Sequence, residues 1–193
     1  MRYRNLLTAV SILLPGAAAA QGTDTAAGRP TVVLVSGPRE GDRAPDFSLP
    51  WASRDTAGAD PWFSLSARRG RIVVLAFCPR DFTSGCTAEM QTFTARYSDL
   101  FGSDVEVVGI STDSLATHRR FADSLGLPFR LLSDPDQKIS RAYGSADKDS
   151  YNRRTVFVID SRGEVSYVEL RFNALDPRSY DHLKQAIKDA RGK

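Results

Sequence analysis

Cysteine is scarce in this chain: Cys78 and Cys86 are the only two among 193 residues. Two thiols make at most one internal bridge, so a scaffold built on disulfides is excluded and the fold must rest on a hydrophobic core. Histidine is equally scarce. His118 and His182 stand apart from any metal-ligand cluster. Asp134 and Asp136 lack the glycine and distal glutamate of a calcium loop, and read as a turn and a helix cap. There is no glycine-rich phosphate loop and no Ser/His/Asp set in recognisable surroundings. No metal and no cofactor are expected.

Long apolar runs are also few. "LLTAVSILLPG" is interrupted by Pro15 and is too short to span a bilayer. It follows Arg2 and Arg4 and precedes "AAAAQ", the pattern of a secretory signal peptide over residues 1–20, cut near Ala20. The expectation is an exported protein, periplasmic or secreted, with no membrane span in its mature form. Residues 21–40 read as a linker or extension, and 41–193 as one domain. An excess of one charge is missing too. Without residues 1–20, Lys+Arg falls from 26 to 24 against 23 Asp+Glu, so nothing favours nucleic acid as a partner. The remaining composition, 41% apolar and 25% charged, is that of an ordinary globular chain.

What is present alternates between strand and helix patterns. "TVVLVS" (31–36) reads as an edge strand, and "DFSLPWAS" (46–53) and "PWFSLSA" (61–67) as extended segments. "RIVVLAFC" (71–78) is continuously apolar, as in a strand buried on both faces. Met90, Phe93, Tyr97 and Leu100 recur at helical spacing over 87–101. A strand (104–111), a helix capped by Ser114 and stopped by Gly126, a strand (129–134) and a helix (135–144) follow. A hairpin over 154–160 and 165–172 and a closing amphipathic helix over 177–191 complete the chain. The class is α/β: a mixed central sheet flanked by helices.

Both cysteines lie in "FCPRDFTSGCTAE". Pro79 halts sheet pairing, a turn follows, and a helix opens at Cys86. The unpaired N–H groups and positive dipole end of a helix start favour a thiolate, the nucleophilic form. On position alone, Cys86 is equally well a small buried residue, half of a structural disulfide, or a nucleophile.

The whole string says more. It resembles the active-site segment of the peroxiredoxins: Pro79, three residues, Thr83, two residues, Cys86. "GDRAPDFSL" (41–49) resembles the entry segment of that family, 107–134 its central region, and "RTVFVID" (154–160) its arginine-bearing strand. The subgroup resembled is the bacterioferritin-comigratory or Q type. The resemblance implies a thioredoxin-like fold and a thiol-dependent peroxidase acting on hydrogen peroxide and organic hydroperoxides. It implies that Cys86 attacks the peroxide and becomes a sulfenic acid, that Thr83 hydrogen-bonds the thiolate or peroxide, and that Pro79 shields the sulfur. It further implies that Arg154 stabilises the thiolate and the leaving oxygen, with Glu89 orienting that arginine. The implied partners are the peroxide and an external thiol reductant, a thioredoxin-like protein or small thiol. Monomer and homodimer both stay open.

Two departures matter. Members of this subgroup often carry a second cysteine five residues after the first; that position is Gln91, and no cysteine follows Cys86. Conversely, Cys78 stands where an aromatic residue is usual. Either Cys78 is an inert buried thiol, with Cys86 re-reduced from outside, or it condenses with oxidised Cys86. The first is preferred, because bridging a strand end to a helix start is expected to need the helix to open by a turn. A thioredoxin-like disulfide oxidoreductase without peroxidase activity is the alternative function. Its usual Cys-x-x-Cys is absent, since Thr83 occupies the first position.

Overall fold

The computed structural model describes residues 37–55, 61–147 and 151–193. In it the apolar run becomes strand β3 (Ile72–Phe77), with all six residues buried. Around it lie β1 (Ser48–Ala52), β2 (Trp62–Ser64), β4 (Val105–Ser111), β5 (Arg130–Ser133), β6 (Thr155–Ile159) and β7 (Val165–Glu169), in the order β2-β1-β5-β4-β3-β6-β7. β3 runs parallel to β4, and β4 to β5; β6 is antiparallel to both β3 and β7. The sheet is therefore mixed.

Alternation along β3 assigns its side chains to two cores. Ile72, Val74 and Ala76 face a layer made by α1 (Ser84–Ala95), α3 (Leu115–Leu125) and α5 (Pro177–Arg191), through Met90, Phe93, Phe121, Leu183 and Ile187. Val73, Leu75 and Phe77 face the opposite layer, with Phe47, Trp51, Phe63 and the short helix α4 (Lys138–Ala142) through Ile139. Fully burying a Val, Leu, Ile, Phe or Met side chain in these layers contributes roughly 1.5–3 kcal/mol.

The helix boundaries follow from their caps. Ser114 Oγ accepts the Thr117 N–H at 3.3 Å, and α3 ends where Gly126 adopts φ 62°. Asp176 accepts the Arg178 N–H at 3.0 Å, and Pro177 opens α5 without wasting a donor. Asp134 accepts the Ser140 N–H at 2.8 Å and so restrains the start of α4. The helix expected over 87–101 differs in two ways. It begins earlier, at Ser84, and it breaks at Arg96 before a single turn, α2 (Tyr97–Leu100). The signal peptide, the strand expected over 31–36 and the linker through residue 36 lie outside the described residues.

Candidate active site

The β3–β6 register pairs Phe77 with Thr155. One step further, Cys78 and Arg154 leave the sheet side by side. Strand parity sends Cys78 to the α1 layer, with Ala76 and Val74, and sends Arg154 the same way as Val156 and Val158. Arg153 has the opposite parity and leaves on the other side, where it donates to the Gly144 carbonyl at 2.6 Å.

Residues 79–83 then fold the chain back sharply. Phe82 takes a left-handed conformation (φ 59°), and its ring packs 4.9 Å from that of Phe121. The Thr83 hydroxyl donates to the Arg80 carbonyl at 2.8 Å. Asp81 is pinned from two sides: its N–H donates to Asp113 at 2.7 Å, and its carboxyl meets His118 Nδ1 at 2.7 Å. His118 Nε2 faces the Leu132 carbonyl at 3.1 Å and so carries a proton. Burial pushes the Asp81 carboxyl up, against the opposing pull of His118. This tight loop delivers the first turn of α1 directly over the end of β3.

The consequence corrects an expectation. Cys78 and Cys86 are joined by a disulfide, with 6.0 Å between their Cα atoms, and Cys86 lies inside an intact α1. No turn of helix opens to make the bridge, contrary to the expectation that one must. The reach comes from the left-handed turn at Phe82 and from strand parity, which together bring the two Cα atoms inside the ~7 Å limit.

Arg154 crowns the pair. Its Nη1 lies 3.4 Å from Cys78 Sγ, 3.8 Å from Cys86 Sγ and 2.5 Å from Glu89 Oε2. Glu89 is wholly buried one turn after Cys86; its Oε2 is also 3.7 Å from Cys78 Sγ, and its Oε1 has no partner among the described residues. Burial pushes the Glu89 carboxyl up to about 7, against the lowering effect of Arg154. The guanidinium rests on Gly85: a Cβ there would stand 2.4 Å from Arg154 Nη2.

The structure thus gathers Cys78, Cys86, Glu89 and Arg154 around one point. Thr83, at the N-cap of α1, is exposed and turns its hydroxyl proton to Arg80 rather than to a sulfur in this disulfide-bonded state. Pro79 is half-buried beside Cys78. Gly85 and the Asp81–His118 pair are additions that the sequence does not announce. Neither sulfur is open to solvent, Cys86 being 0% and Cys78 4% exposed. Gln91 points outward.

A strand end and a helix start that present a cysteine pair beneath an arginine, on a thioredoxin-like mixed sheet, define a thiol-redox protein. Residues 40–168 match the model of the AhpC/TSA family. A putative peroxiredoxin bcp of Coxiella burnetii is 38% identical over 135 residues, covering 66% of this chain and 85% of the relative. A chloroplastic peroxiredoxin Q of Oryza sativa subsp. japonica is 36% identical over 170 residues, covering 86% and 72%. The reduced 2-Cys peroxiredoxin of Plasmodium vivax superposes with a TM-score of 0.69 at 27% identity, covering 79% of this chain and 82% of that one. The chain belongs to the AhpC/TSA family, and it is an enzyme of the peroxiredoxin type, a thiol peroxidase.

Proposed function

We propose that the chain is an exported peroxidase that reduces hydrogen peroxide and organic hydroperoxides at Cys86, with Cys78 as its resolving cysteine. The Cys86 thiolate attacks one peroxide oxygen. An S–O bond forms, the O–O bond breaks, and the departing oxygen takes a proton to leave as water or an alcohol. Charge moves from sulfur to that oxygen along a path that Arg154 flanks. A positioned donor of this kind is worth ~2.7–4 kcal/mol in comparable sites. The Thr83 hydroxyl oxygen, its proton given to the Arg80 carbonyl, accepts from the O–H of the incoming peroxide, and Pro79 screens the sulfur from water. Cys78 then attacks the sulfenic sulfur, giving a disulfide and water. An external dithiol, a thioredoxin-like protein or small thiols, supplies the two electrons that restore both thiols. Export rests on the leader pattern of residues 1–20.

The single observation that carries this reading is the Cys78–Cys86 bridge lying against Arg154. The cycle it suggests needs no cysteine at position 91. Peroxide consumption by wild type and by Cys86→Ser, followed in a stopped-flow instrument, tests the assignment of the nucleophile. Loss of consumption with a wild-type circular dichroism spectrum is expected; undiminished turnover overturns it.

A further inference from the structure

Glu89 has more to do than hold Arg154. It is a carboxyl group sealed in the core, with Oε2 accepting from Arg154 and lying 3.7 Å from Cys78 Sγ, and with Oε1 unpartnered among the described residues. A buried acceptor with unspent lone pairs normally costs stability, and such groups concentrate where chemistry needs them. Here Glu89 Oε2 lies 3.7 Å from the sulfur of Cys78, which carries a proton when reduced.

We propose that Glu89 is the general base that takes the Cys78 thiol proton when Cys78 attacks oxidised Cys86. This rests on Cys78 being the resolving cysteine. Before the step, Cys86 is a sulfenic acid, Cys78 a thiol and Glu89 a carboxylate. The Cys78 proton passes to Glu89, the S–S bond forms, and the S–O bond of Cys86 breaks. The departing hydroxide takes the proton back from Glu89 and leaves as water. No oxidant beyond the peroxide already spent is required, and Glu89 ends as it began. When a reductant thiol later opens the bridge at Cys86, the proton it sheds on becoming a thiolate can pass by way of Glu89 to the departing Cys78 sulfur.

The surroundings leave this role to Glu89. The titratable groups facing it are Arg154 from the start of β6, Cys78 from the end of β3, Cys86 on its own helix and Tyr180 from α5. Arg154 cannot accept a proton, and burial pushes the Tyr180 hydroxyl further up from its ordinary range. Asp81 and His118 line a common pocket with Cys78, but Asp81 Oδ2 is engaged by His118 Nδ1 and His118 Nε2 by the Leu132 carbonyl, and neither residue has a hydrogen bond to the Cys78 sulfur among the described residues. A carboxyl raised to about 7 is matched to proton transfer near neutral pH.

The test separates the two chemical steps. Reduced full-length protein is mixed with one equivalent of hydrogen peroxide between pH 5.5 and 8.5, quenched at intervals with an alkylating agent, and read by intact mass for sulfenic acid and disulfide. In wild type the second step is expected to speed up with pH through an inflection near 7. Glu89→Gln, which retains an oxygen to accept from Arg154, should slow that step at least tenfold and erase the inflection. Glu89→Asp should keep the inflection at a reduced rate. A Glu89→Gln variant that keeps the wild-type profile of the second step overturns the proposal, as does one that slows only the first step. If Glu89→Gln does not fold, a wild-type second step with no inflection below the thiol range overturns it equally. Failure of the underlying reading looks different: wild type would lose one thiol and never form the internal disulfide, which removes the proposal with it.

Discussion

Arg154 and Cys78 stand opposite each other one step beyond the last β3–β6 pair, with Arg154 Nη1 3.4 Å from the Cys78 sulfur. The sheet's register, not a flexible loop, therefore sets the distance between cation and thiol. The same parity points both at the helix start that carries Cys86.

The register yields a contrast between neighbours. Arg154→Ala should slow oxidation of Cys86 by peroxide about 100- to 1,000-fold, the usual cost of one lost donor to a developing charge. Arg153→Ala, whose guanidinium binds the Gly144 carbonyl on the other side, should change it less than threefold. Stopped-flow rates of sulfenic acid formation decide, and equal effects would contradict the placement.

Gly85→Ala tests whether the seat of Arg154 matters. Alanine is favoured over glycine in a helix interior by about 1 kcal/mol, but here that gain is opposed by disturbance of the buried Arg154–Glu89 pair. The new methyl would occupy the space of Arg154 Nη2, and the guanidinium must swing away from both sulfurs. The expected result is a loss of peroxidase rate of at least tenfold together with a lower melting temperature, because the displaced guanidinium leaves Glu89 buried without its cation. A fully active variant would show that Arg154 tolerates displacement.

Much of this arrangement is legible in the sequence. The apolar run 71–78, the proline that ends it and the helical spacing after it place Cys86 at a helix start. The pattern "RTVFVID" brings in Arg154. The disulfide is not legible, for a physical reason. A strand buried on both faces carries no polar side to reveal which way Cys78 points, and the 6.0 Å Cα separation depends on a left-handed turn at Phe82. Phenylalanine is not a residue that advertises positive φ. The Asp81–His118 pair spans 37 positions and has no local signature. The break at Arg96 is likewise invisible, since Tyr97 and Leu100 continue the helical spacing of Met90 and Phe93.

The buried Asp81–His118 pair ties the loop between the two cysteines to α3. With Cys86 0% and Cys78 4% exposed, an external thiol needs a local movement to reach the bridge, and residues 79–83 are the loop between the two cysteines. Asp81→Ala removes the carboxyl that ties this loop to His118 and leaves a buried imidazole nitrogen unpaired, at a cost of about 1–3 kcal/mol. The variant should melt lower and its disulfide should be reduced severalfold faster by dithiothreitol. Reduction at the wild-type rate would show that the bridge is reached by another route.

The central claim is that oxidised Cys86 is resolved by Cys78, and thiol counting on the reduced enzyme tests it most directly. One equivalent of hydrogen peroxide is added to wild type and to Cys78→Ser, and the products are read by intact mass, dimedone labelling and peptide mapping. Wild type should lose two thiols and give a peptide cross-linked between Cys78 and Cys86. Cys78→Ser should stop after one oxidation, as a sulfenic acid that dimedone traps. A wild-type protein that loses a single thiol and holds a stable sulfenic acid, with Cys78→Ser turning over at the same rate, would contradict the account.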